Sequence, residues 1–219
     1  MPLPTHDPTT PPPWLPGMEG ILYNGINWLA GAPGCGKTWI GLIAAKHYLT
    51  AQPHDTSGVQ YNDHESSAHR MSERAHALDF TDAYTNAFTY RTSEGGYYNS
   101  LNIIDTADGA NLMTTHNPRE IEHDTFCGSN IILDHTARTT GSRHPAGDKR
   151  KTAIADAVIY IDGEHIWTRH RPGHITLHMI KDRHGYMDCT PGQELARITA
   201  TPQDGKLNYQ ITRNNERHY

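Results

Sequence analysis

The stretch Gly31-Ala-Pro-Gly-Cys-Gly-Lys-Thr38 decides how the rest of the chain is interpreted. It matches the pattern G-x-x-x-x-G-K-[ST] at every required position. In this pattern the glycines let backbone N–H groups cradle phosphate oxygens, the lysine reaches the β- and γ-phosphates, and the hydroxyl binds Mg²⁺. The residues predicted to bind a nucleotide are Gly31, Ala32, Pro33, Gly34, Cys35, Gly36, Lys37 and Thr38.

The sequence on either side of the loop supplies the strand and the helix that this pattern requires. Residues 25–30 form a short apolar run, typical of a buried strand, and apolar residues recur at helical spacing over residues 38–50. The amino terminus of such a helix carries a partial positive charge, which favours a bound phosphate. Cys35 is expected to contribute only its backbone N–H. The loop and its context together predict a nucleotide-binding site.

Beyond the loop, short apolar runs alternate with helical patterns along the chain. Strands are predicted at residues 59–62, 101–105, 130–134 and 157–161, with a polar helix at 66–78. Such alternation predicts an α/β fold, in which a mainly parallel sheet is flanked by helices on both faces. A C-terminal antiparallel hairpin of residues 164–168 and 175–180, joined through Arg171-Pro-Gly173, is expected to follow, with a last strand at 208–212.

Length and composition limit the classes of protein to which the chain can belong. Its 219 residues suit one α/β domain, and no apolar run approaches the roughly 18 residues of a membrane helix. Three cysteines are too few for a disulfide framework, which favours a reducing cytoplasm. Because the net charge is −5, any contact with nucleic acid is expected to be a local basic patch. The prediction from composition is a cytoplasmic protein without membrane contact.

The first 16 residues differ in composition from the rest and hold seven of the 14 prolines. Since proline has no backbone N–H and disfavours helix, we predict an extended arm over residues 1–16 and a nucleotide-binding domain over residues 17–219. The arm is either a loose terminus or a strap across a neighbouring subunit. The segment has no lysine, no arginine and no apolar core, so it is not expected to be a secretory signal.

Hydrolysis of a bound nucleotide requires more than the loop, and four acidic residues are candidates for the additional groups. The chemistry needs a second ligand for hydrated Mg²⁺, a group that activates water, and charge stabilisation at the γ-phosphate. Asp105 and Asp134 each end an apolar run, and ligands collect at the carboxyl ends of parallel strands. Asp63 and Glu65 follow the second predicted strand, where either carboxylate can orient water. Each acid is equally consistent with a helix cap or a solvated loop charge.

Four further segments, together with the loop, resemble a known family. They are Tyr61-Asn-Asp-His-Glu65 before a helix with Arg70 and Arg74, Ile104-Asp-Thr106, Ile131-Ile-Leu-Asp-His-Thr136, and Lys181-Asp-Arg-His-Gly185. The set is similar to the RecA-like P-loop ATPases of the DnaB and plasmid RepA replicative-helicase group, especially the single-domain RepA type of plasmids and phages. The resemblance covers about residues 14–187 and implies a RecA-like ATPase domain.

The resemblance also implies cofactors, partners and residue roles. It implies hydrolysis of ATP with Mg²⁺ in a homo-oligomer, expected to be a hexameric ring, that acts on single-stranded nucleic acid. The implied roles are those of the catalytic carboxylate that activates water (Glu65), the ligands of hydrated Mg²⁺ (Thr38 and Asp105), the γ-phosphate sensor (His135), and the cations that reach the next subunit's nucleotide (Lys181 and Arg183).

Two departures from this family bear on these roles. Only 30 residues separate Asp105 from His135, which is short for the family. If Asp134 were instead the metal ligand, Asp105 and His135 would both lose their roles, and the sequence leaves this alternative open. The sequence also shows no counterpart of the additional N-terminal domain of DnaB-type helicases. A ring is therefore expected to be built by the ATPase domain and the proline-rich arm.

A pair of cations near the end of a predicted strand supports the role across subunits. Apolar residues alternate at positions 175, 177 and 179, so Lys181 and Arg183, two residues apart, are predicted to project together. Such a rigid pair can stabilise transition-state charge in a neighbour's site. The simpler alternative is a solvated basic end of a hairpin.

The segment of residues 136–151, here called the cationic segment, is a candidate for nucleic-acid binding. It contains a single acidic residue, Asp148, and it has no aromatic residue on which a base could stack. Cations at this position would bind phosphates without reading sequence, whereas the plain alternative is a solvated loop. The predicted nucleic-acid-binding residues are Arg138, Arg143, Lys149, Arg150 and Lys151.

The sequence therefore predicts a Mg²⁺-dependent ATPase that acts at subunit interfaces and moves along or unwinds nucleic acid, as phage and plasmid replicative helicases do. A second hypothesis is an ATP-binding switch or recombination accessory ATPase that does not unwind. A third is a P-loop kinase of a small metabolite, which would act as a monomer and be indifferent to DNA.

Overall fold

The computed structural model describes residues 14–80, 86–92, 99–105, 128–136, 143–146 and 150–214. The strands in these ranges are β1 (Ile26–Gly31), β2 (Val59–Asp63), β3 (Phe88–Arg91), β4 (Leu101–Asp105), β5 (Ser129–His135), β6 (Ala157–Asp162), β7 (Gly173–Asp182), β8 (Glu194–Gln203) and β9 (Lys206–Arg213). The helices are α1 (Lys37–Ala51), α2 (Ala68–Ala77) and α3 (Arg150–Ile154).

These strands form one sheet with the order β3-β2-β4-β5-β1-β6-β7-β8-β9. The strands from β3 to β6 pair in parallel, and from β6 onward each neighbour is antiparallel. β8 and β9 form a hairpin whose turn contains Asp204 and Gly205, both at positive φ. The predicted α/β fold, with a mainly parallel sheet and a C-terminal antiparallel hairpin, is confirmed.

Side chains alternate along the parallel strands and fill a core on each face of the sheet. α1 and α2 cover one face, where Ile103 and Leu133 belong to the larger core. α3 lies on the opposite face, and the smaller core there consists of Trp28, Ile104, Ile132, Ile154, Ala155 and Val158. Consecutive residues of β4 and β5 thus point to opposite cores. This alternation decides which polar residues at the strand ends face the phosphate-binding loop.

The predicted hairpin of residues 164–168 and 175–180 is wrong in its first strand. β7 forms, but it pairs with β6 and β8, and residues 164–168 form a turn. In this turn Trp167 packs against Trp39, with the ring centroids 5.9 Å apart, so the segment lies beside the phosphate-binding loop. β6 pairs with β7 from Thr176 onward, and ahead of that point the segment contacts the start of β7 through isolated bonds: Thr168 forms a bridge with Arg171, and the N–H of His174 donates to the carbonyl oxygen of His165.

The sequence analysis misses two strands and one helix. β8 carries buried apolar residues at positions 196, 198 and 200, and this alternation is itself a strand signal. β3 is a four-residue edge strand, too short for a clear periodicity. α3 begins at Arg150, within the segment predicted to be a basic loop.

Residues 14–16, assigned to the arm by composition, belong to the folded domain. Trp14 stacks on Tyr23 with ring centroids 4.5 Å apart, and Leu15 is buried in the larger core. Residues 1–13 of the predicted arm lie outside the described residues. Among the helices that the structure describes, none combines the length and the apolar character that a membrane span requires.

Candidate nucleotide site

The phosphate-binding loop joins the end of β1 to the start of α1, as predicted. Gly34 and Gly36 have φ values of 77° and 100°, in the left-handed region that glycine adopts without strain. Gly36 is also the amino cap of α1, and within the described ranges no side chain caps this end of the helix. The first N–H groups of this 15-residue helix point to where an anion would bind.

Cys35 packs into the core beneath the loop. Its side chain is buried, and burial raises the pKa of the thiol. A Cβ on residue 31 would clash with Cys35 Sγ, which explains why glycine occupies that position. The orientation of the thiol leaves the backbone of Cys35 as its contribution to the loop.

Lys37 is buried, and its ammonium lies along its own loop. Nζ donates hydrogen bonds to the carbonyl oxygens of Gly31 and Ala32, at 3.2 Å each. The same Nζ lies 3.3 Å from Nδ1 of His135. The structure thus brings together the loop lysine and the predicted γ-phosphate sensor.

Asp105 ends β4 directly beside the start of α1. Its Oδ2 accepts hydrogen bonds from the hydroxyls of Thr38 (2.7 Å) and Tyr61 (3.0 Å). Its Oδ1 is buried and has no hydrogen-bond partner among the described residues. Burial raises the pKa of Asp105, although the two hydroxyl donors act in the opposite direction. A buried carboxylate with one unsatisfied oxygen, next to a threonine hydroxyl, fits a hydrated Mg²⁺, which prefers oxygen ligands.

His135 connects the loop to the acid that follows β2. It is the last residue of β5 and pairs in register with Gly31. Its Nε2 lies 2.8 Å from Oε1 of Glu65, whose side chain is 44% exposed. Lys37, His135 and Glu65 therefore form a continuous chain of contacts from a buried ammonium to a carboxylate that water can reach.

Asp63 ends β2, but neighbouring groups already use its carboxylate. Oδ1 accepts from the N–H groups of Glu65 (2.9 Å) and Ser66 (2.7 Å), and Oδ2 accepts from the hydroxyl of Tyr90 (3.1 Å). These bonds shape the turn between β2 and α2. Of the two candidate acids in this turn, Glu65 is the one whose carboxylate contacts His135.

Asp134, the alternative metal ligand, faces away from the loop. Its Oδ2 contacts Lys151 Nζ at 2.8 Å and Trp28 Nε1 at 3.0 Å, on the side of the smaller core. Its Oδ1 accepts the N–H of His135 at 2.8 Å. Both oxygens are thus engaged by other groups. The structure places Asp105, and not Asp134, beside the hydroxyl of Thr38.

One open cleft with a volume of about 260 Å³ is lined by much of the loop together with Lys37, Glu65 and His135. The cleft has further walls that the sequence analysis does not single out as site residues, namely Trp39, Ser66, Arg70, Arg74 and Ile166. Trp39 directly follows the loop, and the guanidinium of Arg74 lies 6.0 Å from its ring centroid. Tyr61, the second donor to Asp105, was also missed, although its position two residues before Asp63 places it on the same strand face. No sequence signal marks Ile166, because it lies in the turn that replaces the predicted strand.

Lys181 and Arg183 project together near the end of β7, as predicted. Lys181 Nζ donates to the carbonyl oxygens of Thr152 (2.7 Å), Ala153 (3.2 Å) and Ala155 (2.7 Å), and the guanidinium of Arg183 also donates to Ala153. Both cations therefore bind the carboxyl end of α3, where the helix dipole favours positive charge.

Along the strand direction, this end of β7 lies on the opposite side of the sheet from the phosphate-binding loop. Gly31 is level with Ile161 of β6, whereas Asp182 is level with Ala157. Four residues of strand separate the two levels, or about 13 Å. Any role of Lys181 and Arg183 at a nucleotide must therefore involve the loop of another copy of the chain.

The structure describes only part of the predicted nucleic-acid-binding set. Arg138 and Lys149 lie outside the described residues, as does the side chain of Arg150. Arg143 is exposed, and its guanidinium lies 5.5 Å from the ring centroid of Tyr160. The prediction that Lys151 binds nucleic acid is wrong, because its side chain is only 4% exposed and its ammonium is paired with Asp134.

Comparison with models of known protein families finds no match, and no curated protein matches the sequence. The structure is similar to that of the flagellar accessory protein FlaH from Methanocaldococcus jannaschii, with a TM-score of 0.57 and 11% sequence identity. The similarity covers 90% of this chain and 94% of FlaH. FlaH is RecA-like, and at this identity the likeness concerns the fold alone. The chain therefore has a RecA-like α/β fold.

Proposed function

We propose that this protein hydrolyses ATP with Mg²⁺ at interfaces between copies of the chain, and that hydrolysis drives movement along single-stranded nucleic acid or its unwinding. The observation that carries the proposal is the contact chain Lys37–His135–Glu65, which shares one cleft with Thr38 and the loop. The cleft lies at the carboxyl edge of the parallel strands, where open α/β sheets bind ligands.

The loop, α1 and Asp105 would hold the triphosphate and its metal. The glycine turn and the amino terminus of α1 would bind phosphate oxygens, and the ammonium of Lys37 would offset their charge. Thr38 and Asp105 would hold hydrated Mg²⁺, which when bound neutralises charge that develops on the transferred phosphoryl group.

Glu65 is the proposed general base. Its exposed carboxylate can take a proton from the attacking water, and its contact with His135 Nε2 orients it. His135 also contacts Lys37, whose ammonium rests on the loop carbonyls in this structure. When Lys37 turns from those carbonyls toward a triphosphate, its contact with Nδ1 changes, and this is how His135 would sense the nucleotide.

The remaining two cationic groups are assigned to other partners. Lys181 and Arg183 would complete the nucleotide site of a neighbouring copy, since along the strand direction they lie at the end of the sheet that is remote from their own loop. The cationic segment, without Lys151, would bind nucleic-acid phosphates through Arg138, Arg143, Lys149 and Arg150. A ring, expected to be hexameric, would satisfy both requirements.

ATPase assays with and without Mg²⁺, and with single-stranded DNA at increasing salt, test this proposal. We expect Mg²⁺-dependent turnover that DNA stimulates, with a stimulation that falls as salt rises. Lys37→Ala should lose ATP binding or turnover. Lys206→Ala is a matched control, because this lysine forms an exposed ion pair with Asp79 and both activities should persist. Unchanged hydrolysis by Lys37→Ala would overturn the assignment of the site.

Two other results would redirect the functional assignment. Tight ATP binding with little turnover, with or without DNA, would favour a nucleotide-dependent switch. Turnover by a monomer that is indifferent to DNA would favour a small-metabolite kinase.

Mixing experiments test whether the sites lie between subunits. A mixture of the Arg183→Ala and Lys37→Ala variants should recover some ATPase activity, because a hybrid interface can pair an intact loop with an intact arginine. A mixture of the Glu65→Gln and Lys37→Ala variants is the control and should recover no activity, because every interface then contains a defect in the subunit that supplies the loop. A rate per subunit that does not change with protein concentration, from monomer to oligomer, would count against shared sites.

A further inference from the structure

We propose that Asp134 and Lys151 form a buried positioning pair that holds His135 between Lys37 and Glu65. This inference rests on the proposed ATPase function. It assigns a task to two residues whose charged groups lie on the opposite face of the sheet from the nucleotide cleft.

The carboxylate of Asp134 is held in one orientation by three donors. Lys151 Nζ and Trp28 Nε1 donate to Oδ2, and the N–H of His135 donates to Oδ1. The side chains of Asp134 and Lys151 are 0% and 4% exposed. Any rotation of the carboxylate would leave a buried donor without an acceptor, which is strongly unfavourable.

The backbone of His135 is fixed through this carboxylate and through two further contacts. Its N–H binds Asp134, its carbonyl oxygen accepts from the N–H of Ala146 at 2.7 Å, and its strand position pairs with Gly31. Since side chains alternate along a strand, fixing Asp134 toward the smaller core directs His135 toward the loop. The imidazole is thereby placed with one nitrogen on Lys37 and the other on Glu65.

The energetics of buried ion pairs favour a positioning role over simple stabilisation. Removing two charges from water offsets most of their attraction, so a pair of apolar residues at these positions would stabilise the fold as well or better. What an ion pair adds is a defined geometry. Lys151 also lies with its Nζ 5.6 Å from the ring centroid of Trp28, which further restricts where the ammonium can sit.

The double variant Asp134→Asn/Lys151→Met removes both charges while keeping similar side-chain shapes. We expect it to fold, with an apparent KM for ATP close to that of the unmodified protein and a kcat lower by up to about 100-fold, the loss typical of a displaced catalytic group. Asp79→Asn/Lys206→Met, which removes an exposed ion pair, is the matched control and should leave kcat unchanged. A folded double variant with normal kcat would overturn the proposal.

Repeating the measurement in a His135→Ala background separates positioning from a structural effect. If the pair acts through His135, the double substitution should lower the residual single-turnover rate no further, while its effect on Tm should be the same in both backgrounds. A second full loss of rate in the His135→Ala background would show that the pair does not act through this residue.

Nitrogen-15 NMR of the histidine side chains gives a readout that needs no turnover. The His135 signals, identified by their absence in His135→Ala, should shift in the double variant, and those of His47 in the remote part of α1 should not. Unchanged His135 signals would refute the positioning role. If the unmodified protein hydrolyses no ATP but the signals shift, the ATPase proposal fails and the positioning contact stands. Should the double variant not fold, Trp28→Phe removes one donor and should shift the same signals less.

Discussion

β4 and β5 lie side by side and each carries an aspartate at its carboxyl end, but the two carboxylates serve opposite faces of the sheet. Asp105 pairs in register with Leu133, so Asp134 lies one residue further along. Because side chains alternate, Asp105 points with Leu133 toward α1, and Asp134 points toward Trp28 and the smaller core. This one-residue offset places Asp105 at the candidate metal site and Asp134 in a buried ion pair.

The electrostatic surroundings of the two aspartates differ as much as their orientation. Asp105 has two neutral hydroxyl donors, one buried oxygen that lacks a partner in the described part of the chain, and a pKa raised by burial. Asp134 has a buried ammonium as counter-charge and donors on both oxygens. An under-satisfied carboxylate is poised for a cation, whereas a saturated one holds its surroundings in place.

Matched substitutions to asparagine should show the difference between the two aspartates most clearly. Asp134→Asn should lower the free energy of unfolding by about 3–5 kcal/mol, because Lys151 is left buried without its counter-charge. Asp105→Asn should leave the fold as stable or more so, since burial disfavours the charge it removes, and should lower the ATPase rate about 100-fold. Urea unfolding and ATPase assays on both variants check this. A large loss of stability from Asp105→Asn, with none from Asp134→Asn, would reverse the assignments.

The end of β2 extends the comparison to a second pair of acids, Asp63 and Glu65. Asp63 pairs in register with Asp105, yet its carboxylate binds backbone N–H groups. Glu65→Gln should therefore retain ATP binding and lose about 100-fold in kcat. Asp63→Asn should instead lower the free energy of unfolding by about 1 kcal/mol, through a weakened turn. Nucleotide binding by fluorescence and turnover by phosphate release check both; binding without turnover in Asp63→Asn alone would make Asp63 the base.

How much of this site the sequence predicts depends on how local the signal is. The loop follows from eight consecutive residues, because the glycine and lysine positions there determine the geometry, and the flanking strand and helix follow from the apolar patterns directly beside it. Asp105 and Asp134 are found as strand ends, but the face each one takes depends on register between strands distant in sequence. Residues 164–168 resemble a strand locally, but β6 and β8 take most of the pairing with β7, and the segment makes isolated bonds to residues 171 and 174 instead. The sequence predicts a solvated charge at Lys151, because its partner Asp134 lies 17 residues away along the chain.

Single donors to the two aspartates provide a finer test of the comparison. Trp28→Phe removes one donor from Asp134 and should lower the free energy of unfolding by about 1.5 kcal/mol, as expected for a hydrogen bond to a charged group. Tyr61→Phe removes one donor from Asp105, so we expect a further rise in the pKa of that carboxyl. Turnover should then need a higher Mg²⁺ concentration to reach half its maximal rate. Urea unfolding and Mg²⁺ titrations of the ATPase rate separate the two. Equal losses of stability would show that the two carboxylates are not differently engaged.

The smallest effect that we expect is a change in the free energy of unfolding with pH that arises from His47. It should be present in every variant that retains this histidine. Burial lowers the pKa of His47, and the nearby Lys46 contributes in the same direction. The unfolded chain therefore binds this proton more readily, and stability should fall as the pH drops from about 6.5 toward the pKa of the folded protein. His47→Gln should remove that decline, measured as the free energy of unfolding at pH 7.5 and 5.5. Asp105 acts with the opposite sign, because its raised pKa lets protonation relieve the same buried charge that Asp105→Asn removes. A decline shared by every variant except His47→Gln belongs to His47, whereas a gap between the unmodified protein and Asp105→Asn that narrows on acidification belongs to Asp105.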